Sequence, residues 1–268
     1  MDNYFEQKYT YNQISFRYAK GKSLEIGNEI HSYHEILYYI DGDATFLSEG
    51  FKEKLNSETL LIIPKEVYHK FSIKNQKEYR RFVISFPDID ILYNLLTDMS
   101  QIKIIKNINI NIRHILDRMC SVICSEKTGG SEIFCYGAFL SLISELSFDS
   151  QNAVLPAPRS QEQLIAKCIE YIEEHYTEPI YVEDIAKKMY VSASTLFQCF
   201  KKELGISLHK YISEKRIIHA QKLILKGENP TKIYKECGFN DYSSFYKAYK
   251  KMFSVFPSAD KKSIVISK

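Results

Sequence analysis

Two short stretches near the start of the 268-residue chain carry the side chains best suited to holding a ligand. GNEIHSYHEILYYIDGD (Gly27–Asp43) contains His31, His34 and Glu35, and LIIPKEVYHKFSI (Leu61–Ile73) contains His69. Imidazole and carboxylate together suit Zn, Fe or Mn. On a strand, however, residues three apart face opposite ways, so His31 and His34 share a face only across a bulge. That spacing argues against a metal set. Metal is therefore the weakest of three readings, beside histidines satisfied in a core or rim and a small-molecule pocket. Such a pocket, mostly apolar with a few polar groups, would be lined by some of His31, Glu35, Tyr38, Tyr68 and His69. No metal and no cofactor is expected.

A second chemistry sits near the other end, in ECGFNDYSSFYKAYK (Glu236–Lys250). Gly238 can take a positive φ and end one helix, and Asp241 can cap the next. Phe245 and Tyr249 then face a core, which leaves Tyr242, Ser243, Tyr246 and Lys247 on the open face. Hydroxyls and Lys bond phosphates and base edges, whereas a carboxylate there would repel phosphate. The chain shows no Ser-His-Asp arrangement, P-loop or GxGxxG, so other enzyme classes find no support.

The elements that position these residues fall into two halves. Residues 14–86 read as short strands rich in Ile, Tyr, Phe and Val, with IDGDATF (Ile40–Phe46) as a tight turn; strands at this spacing predict a barrel or sandwich. After Pro87, ILYNLLTDM, NIRHILDRMCSVICSE and SEIFCYGAFLSLISELSF carry apolar residues at helical spacing. Lys103–Asn111 is biased to Ile and Asn and gives no reading. SFDSQNAVLPAPRSQEQ (Ser147–Gln163) loses periodicity and reads as a linker. From Leu164 to Lys251 the pattern is helical throughout.

That helical half is doubled. Val182–Leu208 and Pro230–Pro257 share one plan: a short helix with Ile185 or Ile233, and a turn at Met189-Tyr190-Val191 or Cys237-Gly238-Phe239, where the first triplet reads as an apolar plug. A cap follows at Ser192 or Asp241, then apolar residues at Leu196 and Phe200 or Phe245 and Tyr249, then a Lys pair. Leu196 and Phe245 lie 49 residues apart. The unit is helix, tight turn, helix, a shape whose second helix can enter a major groove. Ile206–Gly227 between the units reads as a rigid helical strut capped by Ser207. It sets the separation of the reading helices, and ~34 Å would place both on one face of B-DNA.

Charge agrees. The net +3 is uneven: residues 160–268 hold 18 Lys+Arg against 13 Asp+Glu, so the second half is the candidate partner of a polyanion. Six cysteines without CxxC pairs read as free, mostly packed thiols. No apolar run reaches the ~20 residues that span a bilayer, and the polar N-terminal stretch lacks the apolar segment expected of a signal peptide. A cytoplasmic protein that does not associate with membranes is expected.

Residues 164–262 resemble the DNA-binding domain of AraC/XylS-type transcriptional regulators. The matching features, in order, are Ile172, Asp184-Ile185-Ala186, Ser192, Leu196, Phe200-Lys201-Lys202, Gly205, Tyr211, Arg216, Ala220, Ile233, Gly238-Phe239, Asp241, Phe245 and Pro257. The resemblance implies that the first reading helix offers Ser194, Thr195, Phe197, Gln198 and Lys202 to double-stranded DNA. The second would offer Tyr242, Ser243, Tyr246, Lys247 and Lys250. Arg216 would be structural or touch phosphate. Three departures stand out: Tyr234 where Ala is usual, Ser254 where Gly is usual, and Asp260 where Tyr is usual, which implies a looser last turn.

Residues 10–86 resemble, more weakly, the cupin-like sensor domain of the same regulators, on His31, Glu35, Gly42, Pro64 and His69. Metal-binding cupins usually carry His-x-His, and here the spacing is His31-x-x-His34. The helix pair at 112–125 and 132–148 would, as in that family, dimerise through an antiparallel contact. The expected architecture is therefore a multidomain α and β chain. Residues 1–150 would form a cupin-like β-barrel (strands about 10–86) with a helical dimerisation hairpin (helices about 89–150). Residues 151–163 would be the linker, and 164–262 an all-α domain of two helix-turn-helix units joined by a long helix. The implied function is an effector-controlled regulator, not an enzyme, acting as a homodimer and touching RNA polymerase if it activates. The alternatives are a ligand-blind regulator answering to a protein partner, and a metal-dependent cupin enzyme.

Overall fold

Strand parity organises the first half of the chain. In a computed structural model, which describes residues 4–22, 26–49, 51–73, 78–89, 101–125, 129–149 and 160–260, the strands are β1 (Phe5–Tyr11), β2 (Ile14–Lys22), β3 (Ile26–Glu29), β4 (His34–Asp41), β5 (Ala44–Ser48), β6 (Phe51–Lys54), β7 (Thr59–Ile63), β8 (His69–Ile73), β9 (Glu78–Phe86) and β10 (Lys103–Ile105). Helices follow: α1 (Ile110–Cys124), α2 (Ser131–Asp149), α3 (Ser160–His175), α4 (Val182–Lys188), α5 (Ala193–Leu204), α6 (Leu208–Leu225), α7 (Pro230–Ile233) and α8 (Tyr242–Phe253). The chain divides into two compact units, Met1–Leu47 with Lys52–Ala157 and Pro158–Lys268 with Ser48–Phe51.

In the first unit β1, β2, β9, β4, β7 and β10 form one sheet in that order, and β3, β8, β5 and β6 form a second. The expected barrel is thus two sheets among the described residues, with no ladder closing them into one. The first strand starts earlier than the pattern suggested. Asn12 and Gln13 both have positive φ, the two-residue turn that matches strand twist, and Tyr11 pairs with Ile14. The IDGDATF turn carries the chain from β4 in the larger sheet to β5 in the smaller. Lys103–Asn111, which gave no reading, supplies β10 and the Asn109 cap of α1.

Strands β4 and β7 are buried along nearly their whole length, as strands covered on both faces must be. One face is closed by α1 and α2: Ile36, Tyr38, Phe82 and Ile84 pack on Ile112, Leu116, Met119, Phe139 and Leu142. Ser131 and Glu132 open α2 as their types predict. The helix expected over 91–99 lies outside the described residues.

The second unit is helical. Its α3 begins at Ser160, inside the stretch read as linker, of which 151–159 lie outside the described residues. The strut α6 is capped by the Ser207 side chain, which accepts from Lys210 N–H, and it buries Ile217, Ala220 and Ile224 against Ile233, Cys237, Phe245 and Tyr249. All six cysteines are free thiols. Burial pushes Cys168 and Cys237 up to about 12 and Cys135 to about 11, which keeps them protonated.

The two helix-turn-helix turns are the same backbone motif. Val191 N–H donates to Ala186 C=O, and Phe239 N–H to Tyr234 C=O, around a left-handed residue that is Tyr190 (φ 57°) in one and Gly238 (φ 83°) in the other. Tyr190 is not the apolar plug that its neighbours suggested; it is 96% exposed. A left-handed non-glycine residue costs about 1–2 kcal/mol, partly recovered by its lower unfolded-state entropy. Tyr190→Gly should therefore raise stability by about 0.5–1 kcal/mol. Gly238→Ala should lower it by about 2 kcal/mol or more, since a Cβ there would come within 2.6 Å of the Arg216 guanidinium. Urea midpoints of the helical unit's transition in the full chain check both, and shifts of one sign at both turns would contradict the account.

Candidate functional site

The two second helices, α5 and α8, are started the same way. The Ser192 hydroxyl accepts from Thr195 N–H at 3.0 Å, and the Asp241 carboxylate accepts from Ser244 N–H at 2.8 Å and from the Ser244 hydroxyl at 2.7 Å. Those bonds from the Ser244 backbone and hydroxyl hold the Asp241 carboxyl below its ordinary value. Each helix then buries one stripe: Leu196, Phe200 and Leu204 in α5, Phe245 and Tyr249 in α8. The periodicity that places these inside forces the intervening residues outside.

Ser194, Thr195, Gln198 and Lys202 are exposed along α5. Phe197 is half-buried, its ring stacked on His209 with centroids 5.5 Å apart. On α8, Ser243, Lys247 and Lys250 are exposed, and Tyr242 and Tyr246 are half-buried. Tyr246 stacks on Phe256 at 5.6 Å, and Lys250 Nζ lies 4.8 Å over the same ring. That aromatic support fixes two polar groups of the face; sequence reading missed Phe256 because it lies beyond the helix it supports. No carboxylate occurs in α8, and α5 has one only in its last turn, Glu203.

A helix-turn-helix domain family matches residues 185–263. Among curated relatives, the "Probable transcriptional regulator LumQ" of Photobacterium leiognathi is 30% identical over 89 residues, 33% of this chain and 36% of its own. The "Msm operon regulatory protein" of Streptococcus mutans is 30% identical over 142 residues, 51% of this chain and 50% of its own. The "Virulence regulon transcriptional activator VirF" of Yersinia enterocolitica is 27% identical over 157 residues, 55% of this chain and 56% of its own. The C-terminal region is an AraC-type helix-turn-helix domain. These relatives are regulators of transcription rather than enzymes, and the chain spans about a third to a half of their length.

Within this AraC-type domain Arg216 is committed internally. Its Nε donates to the Tyr176 carbonyl at 2.6 Å and its Nη2 to the Glu178 carbonyl at 2.8 Å. Of the two roles open to it, the geometry supplies the structural one. The departure at 260 is also filled: the Asp260 carboxylate accepts from the Tyr249 hydroxyl at 2.5 Å, which ties the last turn to the core of α8. Burial and that carboxylate push the Tyr249 phenol well up. Tyr234 sits edge-on to Tyr242 at 5.8 Å, so the larger side chain packs beneath the start of α8.

In the first unit the expected pocket residues divide. His31, Glu35 and His69 converge, joined by Glu29, with one donor atom from each lying within 4.8 Å of all the others. His31 Nε2 is 3.3 Å and His69 Nε2 3.5 Å from Glu35 Oε2, and His69 Nε2 is 3.7 Å from Glu29. Burial by itself pushes the Glu35 carboxyl up; the two imidazoles outweigh it and hold it well below the usual range. Burial would lower His69, but Glu29 and Glu35 outweigh it and raise it to about 9. Tyr38 does not belong here. It lies three residues from Glu35, hence on the opposite face of β4, in the core under α1 and α2. Tyr68 is buried beside β8. His34 turns to Asp88 at 3.0 Å, away from the cluster. Glu29 was missed; its cross-strand pairing with His69 becomes visible only with the register of β3 on β8.

Removing the Arg216 fork should cost about 2–4 kcal/mol, less than the ~3–6 kcal/mol of two buried charge-assisted hydrogen bonds because the bond to Glu178 is exposed. Arg216→Lys, with a point charge in place of a fork, should recover at most about half of that. Thermal and urea unfolding of Arg216→Ala and Arg216→Lys read the difference, and full rescue by lysine would show that charge alone is what matters there.

Proposed function

We propose that the chain is a sequence-specific, double-stranded-DNA-binding regulator of transcription, acting in the cytoplasm as a homodimer. The observation that carries this is the pairing of α5 and α8: identically capped helices with buried stripes, whose open faces carry hydroxyl, amide and ammonium groups. Gln198 is the side chain suited to a bidentate contact with a base edge, while Lys202, Lys247 and Lys250 supply phosphate contacts. Ser194, Thr195, Phe197, Tyr242, Ser243 and Tyr246 complete the two faces. The first unit, read as cupin-like from its sequence, is the regulatory half, and the His31, Glu35, His69 cluster is its candidate effector site. An activator of this kind would also touch RNA polymerase.

Dimerisation is assigned to α1 and α2. Most apolar residues of α1 are consumed by the sheet, yet Ile133 and Leu140 of α2 stay exposed. A cavity of about 420 Å³ lined by His114, Ile115, Arg118, Ile133, Phe134 and Gly137 lies between the helices. No helix among the described residues is long and apolar enough to cross a membrane.

Two measurements test the reading. In competition binding to operator DNA selected from random sequence, Gln198→Ala should lose about 1–3 kcal/mol of discrimination at one base pair. Lys250→Ala should instead weaken all sequences alike and flatten the salt dependence by about one unit of slope. Unchanged discrimination and slope would remove both helices from the interface. In sedimentation, Ile133→Glu should convert the dimer to monomer with little loss of stability, as is usual for an exposed position; an unaltered dimer would place the contact elsewhere.

A further inference from the structure

The ligand class of the buried cluster follows from its protons. His31 Nδ1 lies 2.8 Å from the Tyr33 carbonyl, and His69 Nδ1 lies 3.0 Å from the Val67 carbonyl. A carbonyl oxygen only accepts, so both Nδ1 atoms carry hydrogen. In the neutral ring each Nε2 is then a bare lone pair. Both lone pairs point at carboxylate oxygens, which are also acceptors, and neither Nε2 makes a hydrogen bond although His31 is 7% and His69 0% exposed. Four acceptors facing one another in a buried space need positive charge between them, either protons on the Nε2 atoms or a metal cation.

We propose that Glu29, His31, Glu35 and His69 bind one divalent first-row transition-metal ion, with Zn²⁺ the leading candidate. At Zn–N and Zn–O bonds of about 2.0–2.1 Å, the edge of a tetrahedron is about 3.4 Å. Three of the six donor separations, 3.3, 3.5 and 3.7 Å, bracket that edge, and all six lie within 4.8 Å. Two carboxylates and two neutral imidazoles sum to the charge that a divalent ion cancels. The supporting shell is also in place. Each imidazole donates its far N–H to a backbone carbonyl, and Glu35 Oε1 accepts from the Ser85 hydroxyl at 3.1 Å, leaving Oε2 aimed inward. This arrangement orients ligating side chains and fixes their tautomers. The His31 ring is further clamped by Tyr33, stacked at 3.9 Å and 2°. Glu29, its side chain 32% exposed, is the ligand on the solvent side. The space between the four donors suits an ion, not an organic molecule. The assignment names a ligand for the cluster and is independent of what the C-terminal domain binds.

The alternative is that two protons, not a metal, balance the carboxylates, and the experiment separates the two. The full chain, stripped with a chelator and dialysed, is titrated with Zn²⁺ by calorimetry, with Mg²⁺ and Ca²⁺ as controls. One Zn²⁺ per chain is expected, no comparable uptake of the controls, and a thermal midpoint several degrees higher at 100-fold excess over Kd. His31→Gln and Glu29→Gln should each weaken binding by about tenfold or more. Loading the unaltered chain with Co²⁺ gives a reading that does not depend on any variant folding. Visible d–d bands without thiolate-to-cobalt charge transfer support the cluster, and a thiolate band assigns the ion to cysteine instead. Absence of stoichiometric Zn²⁺ uptake, or uptake undiminished in both variants, overturns the proposal. DNA binding is not part of the readout, so its presence or absence does not bear on the result.

Discussion

One guanidinium holds the helical unit in register. Arg216 leaves the middle of the strut α6 and donates to two carbonyls in the segment that follows α3. It passes over Gly238, where even a Cβ would approach its Nε to 2.6 Å and the Thr177 carbonyl to 3.0 Å. Strut, end of α3 and second turn are therefore fixed by a single half-buried fork, and the direction in which α8 leaves that turn depends on it. Such a fork cannot be replaced by a point charge, because its two donors serve two acceptors at fixed angles.

The same commitment changes how the unit's charge is to be understood. Residues 160–268 carry 18 basic residues against 13 acidic. Arg216 is spent on carbonyls, and Lys215 is 6% exposed and paired with Glu173 at 2.5 Å. On the acidic side, Asp260 is drawn into a bond with Tyr249. Under the proposed function the attraction to a polyanion falls to particular lysines: Lys247 in the middle of α8, and Lys201, Lys202, Lys250 and Lys251 gathered at the ends of α5 and α8. A basic patch at helix C-termini also matches the negative end of the helix dipole, so these lysines stabilise the helices that present them.

Much of this was legible before any coordinates, and the reasons differ by region. In the C-terminal region the helices are local objects: caps, apolar spacing and stops lie within a dozen residues of each other, and Ser192, Ser207 and Asp241 cap where their types say they should. In the N-terminal region the decisive facts are non-local. Parity separates Tyr38 from Glu35 and is readable from the sequence, since three is odd; applied consistently it removes Tyr38 from the pocket. His31 was judged by parity against His34 but lies in the segment before β4, where strand parity has no force. Glu29 reaches His69 only through the pairing of β3 with β8, a register that no single sequence states. Arg216 remained ambiguous because its partners are backbone carbonyls some 40 residues away, and carbonyls leave no mark in a sequence.

The repeat itself shows what dictates glycine. Each helix-turn-helix unit has two left-handed positions, one in the turn and one closing the second helix. The first unit places Tyr190 in the turn and Gly205 at the close; the second places Gly238 in the turn and Ser254 at the close. The backbone is the same in both, because the hydrogen bonds Val191 to Ala186 and Phe239 to Tyr234 in the turns, and Gly205 to Lys201 and Ser254 to Lys250 at the closes, define it. Glycine is therefore not what makes the conformation; it only lowers its cost. At 238 that saving is joined by a second demand, the space taken by Arg216, so the side chain is excluded there by a neighbour as well as by its own backbone. Tyr190 meets solvent instead of a guanidinium, which is why the same turn accepts the bulkier residue at the cost of strain alone.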